Sequence, residues 1–126
     1  MKKLFHWLPA ILWAAVLFYL SAQSKLPVVG PQFPNIDKLH HLAAYGILGA
    51  LVLFPLRRAH NHSAPKAAVL ALLIASAYGA TDEFHQRFVP HRTCDVWDWT
   101  ADTLGAGLAA TGYYAYESYR RQKTNH

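Results

Sequence analysis

The chain has 126 residues, enough for one domain, and a net charge of +5. Hydrophobic residues make up 53% of it and charged residues only 15%, a balance that disfavours an ordinary soluble protein. The basic residues occur in short runs beside apolar stretches, which argues against a nucleic-acid-binding face. The single cysteine, Cys94, excludes both an intrachain disulfide and a zinc site built on several thiolates.

Four apolar stretches follow one another along the chain, and each approaches the roughly 20 residues that a helix needs to cross a bilayer. They cover residues 4–22, 39–56, 66–86 and 96–116. We therefore predict an all-α, polytopic membrane protein, a bundle of four transmembrane helices in a single domain over residues 1–126. A cleaved signal peptide is the alternative for the first stretch, but its apolar run is long and no small-x-small cleavage site follows it.

The distribution of lysine and arginine predicts the orientation of the bundle. Eight of them lie in the N-terminus, the second connection and the C-terminus, against four in the other two connections. By the positive-inside rule, both termini are cytoplasmic. Six of the seven acidic residues then fall at the outer face: Asp37, Asp82, Glu83, Asp95, Asp98 and Asp102.

The last stretch carries three of these aspartates on one helical face, because Asp95, Asp98 and Asp102 follow i, i+3, i+7 spacing. Asp95 is predicted to cap the helix, and Asp98 suits the positive end of the helix dipole. Asp102 lies about 10 Å from the cap by the helical rise. Neither capping nor the dipole explains a carboxylate at that depth, so we expect Asp102 to have a bound partner.

In the third stretch, Glu83 is favoured over Asp82 as a site residue because Gln86 lies one turn away on its face. The alternative is that this helix ends near Thr81 and that the acidic pair lies in a solvated loop.

In the second stretch, Asp37 is a predicted N-cap, and His41 and Tyr45 follow it on one face. Lys38 lies among these groups. Arg92, in the last connection, can bind a phosphate or a carboxylate with two hydrogen bonds.

Carboxylates outnumber the nearby lysines and arginines, and close carboxylates require a bound positive charge or proton. Candidate occupants are a divalent cation, protons, or a cationic part of a ligand. No H-E-x-x-H spacing is present, so the residues alone do not assign a metal site or identify a cofactor.

Several short motifs together resemble the VanZ-like family of small bacterial membrane proteins. They are FYLS at 18–21 with Gln23 and Ser24, DKLHH at 37–41 with Tyr45, DEFHQRF at 82–88, PHR at 90–92 with Asp95 and Asp98, and ADTLG at 101–105. The family positions fall here on Asp37, Lys38, His41 (or His40), Tyr45, Glu83, Gln86, Arg92, Asp95, Asp98 and Asp102. The family usually has Asn at the position of Asp102 and Gly at that of His91.

The resemblance implies a multi-pass protein of the bacterial cytoplasmic membrane, in a family named for reduced susceptibility to the glycopeptide teicoplanin. Our first hypothesis is binding or modification of an envelope lipid or lipid-linked phosphate at the outer face. In that hypothesis Glu83 or Asp102 is the general base and His41 the proton carrier. The sequence does not separate catalysis from binding, and it does not predict the oligomeric state.

Two other hypotheses belong to different classes of protein. In the second, the chain is a non-catalytic membrane subunit whose buried polar network only holds the helices together. In the third, the chain is an ion-coupled carrier. This third hypothesis is disfavoured because transporter ionisable groups gather near the midplane, whereas these lie near one surface.

Overall fold

The computed structural model describes residues 1–26 and 30–125, and these residues form four helices and no strand. The helices are α1 (Lys2–Ser21), α2 (Ile36–Arg58), α3 (Ala64–Gln86) and α4 (Val96–Thr124). This confirms the all-α, four-helix prediction. The largest difference is the end of α4, which continues past residue 116 to Thr124. That extension is basic, and cations are favoured near the C-terminus of a helix.

The helix ends follow local chemistry, with two corrections to the predictions. Asn35 precedes α2 in the left-handed region with φ 63°, so the prediction that Asp37 is the N-cap is wrong. Asp37 lies in the first turn of α2, where the dipole still favours its charge. The alternative ending of the third helix near Thr81 is also wrong, because α3 runs to Gln86. Asp95 does cap α4, since its carboxylate accepts a hydrogen bond from the backbone N–H of Trp97 at 2.9 Å.

The helices α2 and α4 form the closest pair in the bundle. A Cβ atom on Gly105 would lie 2.0 Å from the carbonyl oxygen of Leu42, and one on Gly49 would lie 3.2 Å from the Cα of Ala106. Small side chains therefore let the two backbones approach, as in many membrane helix pairs. Helix α3 packs against both, whereas α1 packs mainly against α2 and is peripheral.

Three helices, α1, α2 and α3, are long and apolar enough to cross a membrane. Large apolar side chains project outward from them, for example Phe5, Leu12 and Leu73. Helix α4 has the reverse polarity: Asp98 and Asp102 are buried, while Leu104 and Leu108 are more than half exposed. The mean hydropathy of α4 is therefore too low to identify it as a transmembrane helix, although its outer face is apolar.

The chain direction brings the acidic residues to one end of the bundle. Helices α2 and α4 begin at that end and α3 finishes there, as the contacts between Lys38, Asp95 and Glu83 require. The arginines Arg57 and Arg58 are at the opposite end of α2. His41 and Arg57 are about 24 Å apart along α2 by the helical rise, close to the thickness of a bilayer core.

Candidate functional site

Lys38 is the positive centre of the acidic end. Its ammonium nitrogen Nζ lies 2.8 Å from Asp37, 2.8 Å from Asp95 and 2.6 Å from Asp98. Asp37 is largely exposed, but Asp98 is buried, so the three contacts extend from the surface into the bundle. Lys38 thus joins the start of α2 to the start of α4, and its three partners leave it little capacity to bind a phosphate.

His41, one turn further along α2, links two carboxylates of α4. Its Nδ1 lies 2.7 Å from Oδ1 of Asp102, and its Nε2 lies 3.7 Å from Oδ2 of Asp98. Asp102 is fully buried, and its other oxygen, Oδ2, has no hydrogen-bond partner among the described residues. In the structure, one of the two oxygens of Asp102 therefore has a partner.

Gly79 of α3 makes the space that Asp102 occupies. A Cβ atom at residue 79 would lie 2.9 Å from Oδ2 of Asp102 and 3.3 Å from the ring of Tyr45. Tyr45 is itself buried, and its hydroxyl donates a hydrogen bond to Oδ2 of Asp82 at 3.1 Å. The absence of a side chain at Gly79 therefore leaves room for the carboxylate of Asp102, and α3 continues past Gly79 to Gln86.

Glu83 connects α3 to the segment that precedes α4. Its Oε2 accepts a hydrogen bond from the backbone N–H of Asp95 at 3.1 Å. The side chain is 4% exposed, and its other oxygen, Oε1, has no partner among the described residues. A carboxylate that uses one oxygen to fix a loop and keeps the other unpaired can accept a further donor or a cation.

His41, Glu83 and Asp102 are close enough to hold a metal ion together. One donor atom from each lies within 4.8 Å of the others. Ligands at about 2.1 Å from one cation lie about 3.4 Å apart in a tetrahedral site, so the widest pair of donor atoms would have to approach by about 1.4 Å to share an ion. One imidazole and two carboxylates suit Mn²⁺ or Zn²⁺ better than Mg²⁺ or Ca²⁺.

A pocket of about 110 Å³ adjoins these groups between α1, α2 and α3. His41, Tyr45 and Asp82 form part of its wall, and leucines of α1 form another part. Arg92 also lines it and makes no ion pair or side-chain hydrogen bond with any described residue. Of the two partners that the sequence allows for Arg92, a carboxylate of one of the described aspartates is therefore not bound in the structure.

The structure brings most of the predicted site residues together. Lys38, His41, Tyr45, Glu83, Asp95, Asp98 and Asp102 form the contacts described above, and His40, Gln86 and Arg92 line the pocket. Gln86 is buried beside Glu83 on α3, as its spacing predicts. Asp37 lies at the rim, where its carboxylate contacts the ammonium group of Lys38.

Two residues of the site were missed in the sequence. Asp82 was ranked below Glu83, yet it is buried at 7% exposure and holds the hydroxyl of Tyr45. Ser21, at the end of α1, is 3% exposed and lines the same pocket with an unpartnered Oγ. The position of Tyr45 in the sequence does not predict its hydrogen bond to Asp82, because that contact depends on how α2 packs on α3.

We expect the contact between Asp95 and Lys38 to weaken in acid. The ammonium group of Lys38 and then the backbone N–H of Trp97 hold the pKa of Asp95 below its ordinary value. A lowered folded pKa gives stability that is present above the ordinary Asp pKa of about 3.9 and is lost as the pH falls through the folded value. Thermal unfolding in detergent, measured from pH 5 down to about 2.5, should therefore show a steeper loss of stability for the wild type than for Asp95→Asn. Asn preserves the helix cap, so equal slopes would contradict the prediction.

Comparisons with known proteins place the chain in a family. A model of the VanZ/LLP1 family matches residues 3–117. No curated protein and no solved structure matches the chain. The matched segment contains all four contributing regions of the site, from α1 to Asp102 on α4, and the family resemblance read from the motifs is confirmed. The chain belongs to the VanZ/LLP1 family.

Proposed function

We propose that the protein binds the phosphate of an envelope lipid at the outer face of the bacterial cytoplasmic membrane, with a divalent cation held by His41, Glu83 and Asp102. All four helices cross the membrane in this proposal, and both termini are cytoplasmic. The observation that carries it is the set of three donor atoms within 4.8 Å of one another, next to a pocket that Arg92 lines.

The charge distribution supports the outward orientation. Lysine and arginine are concentrated in the termini and the connection between α2 and α3, whereas the acidic site lies at the other end of the bundle. The positive-inside rule assigns the basic end to the cytoplasm. A polar site at the outer end would face lipid headgroups, with the apolar outer faces of the helices in the bilayer.

The unpaired buried oxygens support the cation. Oε1 of Glu83 and Oδ2 of Asp102 are buried without a hydrogen-bond partner among the described residues. Buried carboxylates are costly unless a positive charge or a proton compensates them. Lys38 is already shared by three carboxylates, so it does not supply this compensation.

The cation also explains how an acidic site can accept an anion. A divalent ion on three protein ligands keeps further coordination positions for a phosphate oxygen or a water molecule. Arg92 would bind a second phosphate oxygen, because a guanidinium matches phosphate with two hydrogen bonds. The pocket volume of about 110 Å³ favours a small headgroup, and Leu17 and Leu20 in its wall suit the first carbons of the lipid chain.

The same geometry provides the groups for hydrolysis of a phosphate ester. In that reaction the three side chains would act without holding the cation: water attacks the phosphorus atom while Glu83 or Asp102 takes its proton, the ester P–O bond breaks, and His41 carries the proton to the leaving alcohol oxygen. We propose binding as the primary activity. An influence on glycopeptide susceptibility would follow if the bound lipid belongs to cell-wall synthesis, and cells producing the protein would then show changed growth in teicoplanin.

The test measures metal and lipid binding separately, with purified protein in mild detergent. Mn²⁺ or Zn²⁺ alone should bind at about one ion per chain and raise the unfolding temperature. Asp102→Asn and Glu83→Gln should each weaken metal binding by about tenfold or more, the effect of about 1.4 kcal/mol. Polyprenyl phosphate should then bind in the presence of the metal, and Arg92→Ala should weaken lipid binding without changing metal binding.

The control is Glu117→Gln, which removes a carboxylate at the opposite end of the bundle. It should leave metal and lipid binding unchanged. Absence of any stoichiometric metal would overturn the cation, and equal lipid binding by wild type and Arg92→Ala would overturn the phosphate site.

A second candidate function is a structural one, favoured by the way the network ties helices together. The bond from Tyr45 to Asp82 joins α2 to α3, and the contacts of Lys38 join α2 to α4. In a purely structural network, Glu83→Gln and Asp102→Asn would lower thermal stability, and metal ions would have no effect on any variant.

A further inference from the structure

A second cavity lies at the basic end of the bundle, away from the acidic site. It has a volume of about 920 Å³ and opens between the C-terminal halves of α2 and α4. Ala50, Phe54 and Ala109 form the apolar part of its lining, here called the floor, and Arg57, Arg58 and Arg120 form the basic part, here called the rim. We call this cavity the basic groove. A site that joins an apolar floor to a cationic rim suits an amphipathic anion.

Arg57 is fixed and forms part of the groove wall. Its Nε donates to the hydroxyl of Tyr113 at 2.6 Å, and its Nη1 donates to the carbonyl oxygen of His62 at 2.6 Å. Its Nη2 lies 3.4 Å from Glu117, which is the groove's acidic residue. The charges of Arg57 and Glu117 therefore compensate each other, and every nitrogen of the guanidinium already makes a contact.

Arg58 and Arg120 are the uncompensated charges of the groove. Both are exposed, and neither makes an ion pair with another described residue. Arg120 lies over the ring of Tyr116, with its Cζ 5.9 Å from the ring centre, so its position is partly set by stacking. Helix α2 thus contributes Arg58 and helix α4 contributes Arg120, and the groove lies between the two helices.

The position of the groove selects a lipid over a soluble anion. The groove lies near the end of α2 that is about 24 Å from the acidic site by the helical rise, a distance comparable to a bilayer core. Basic pockets between membrane helices bind anionic lipid headgroups, and the tyrosines Tyr113 and Tyr116 suit the interface. A soluble phosphate would leave the apolar floor unused.

We propose that the basic groove binds an anionic phospholipid of the adjacent leaflet. Its phosphate lies between Arg58 and Arg120, and its glycerol and first acyl carbons lie on Phe54 and Ala109. This site is distinct from the metal and phosphate site at the acidic end, and its occupancy does not depend on a cation.

The test is lipid retention by the full chain in mild detergent, measured by native mass spectrometry. Phosphatidylglycerol should remain bound more strongly than phosphatidylcholine, in the presence of a metal chelator. The double substitution Arg58→Gln and Arg120→Gln should weaken phosphatidylglycerol binding by about tenfold or more, given about 1 kcal/mol for each basic residue. The matched control, Lys66→Gln with Lys123→Gln, removes two exposed charges near the same end and should change binding by less than about twofold.

A second variant tests the apolar floor without changing the charge. Ala50 is exposed in the groove, so Ala50→Phe fills part of the floor and should weaken phosphatidylglycerol binding while leaving the fold intact. Competition by glycerol 3-phosphate as strong as that by the lipid would overturn the lipid assignment. Equal effects of the arginine and lysine double variants would overturn the groove itself, since charge alone would then explain the binding.

Discussion

Gly105→Ala is expected to disrupt the contact between α2 and α4 and to produce the largest loss of stability of any single methyl addition in the bundle. The new Cβ atom would lie 2.0 Å from the carbonyl oxygen of Leu42 and 3.0 Å from the backbone nitrogen of Gly46. These neighbours are backbone atoms, so the clash cannot be relieved by the rotation of a side chain. We expect a loss of about 3 kcal/mol or more in the free energy of unfolding, measured by reversible SDS titration in mixed micelles.

Gly112→Ala is the matched control, because it makes the same change on the same helix. Apart from the adjacent backbone of α4, no atom of the described residues lies within 4 Å of the position that its Cβ would take. Alanine is the better helix former by about 1 kcal/mol, so this variant should be unchanged or slightly stabilised. If both variants lose stability equally, the close approach of α2 and α4 at Gly105 is incorrect.

Lys38→Met is expected to give the second large effect, because it removes an ammonium group that Asp37, Asp95 and Asp98 share. Breaking a fully buried ion pair by removing one partner costs about 3–5 kcal/mol. The side chain of Lys38 is 27% exposed and Asp37 is at the surface, so solvent screens part of the interaction. We expect a loss of about 2–3 kcal/mol in the free energy of unfolding.

A double variant separates the electrostatic cause from a general packing effect. Asp98 is the most buried partner of Lys38, so Lys38→Met with Asp98→Asn should lose less stability than the two single variants added together. Lys25→Met, an exposed lysine of the first connection, should change the free energy of unfolding by less than about 0.5 kcal/mol. Strict additivity of Lys38→Met and Asp98→Asn would refute the shared-cation interpretation.

The sequence predicted the helices well because their signals are local. Continuous apolar runs set the number of helices, and Asp95 marked the start of α4 through its cap. The end of α4 was missed because the basic residues after Tyr116 resemble a solvated tail as much as a helix. Asp37 was misassigned as a cap because Asn35, two residues earlier, adopts the left-handed conformation instead.

The candidate site was only partly predictable, for a physical reason. Spacing along one helix placed Asp95, Asp98 and Asp102 on a common face, and the structure keeps them there. Contacts between helices depend on rotation and depth, which spacing does not specify. The sequence therefore places Lys38 among the site residues but does not show that three carboxylates contact its ammonium group. The hydrogen bond from Tyr45 to Asp82 is also a contact between helices, so spacing along one helix does not predict it.

The inverted polarity of α4 has a consequence for biogenesis. A segment that carries two aspartates in its first two turns would not leave the translocon for the lipid phase on its own hydropathy. Asp98 and Asp102 can contact Lys38 and His41 only when α2 already lies next to α4. If α4 crosses the bilayer, it would therefore have to enter together with, or after, the earlier helices, and a chain that lacks α2 would have no partners for its two aspartates during insertion.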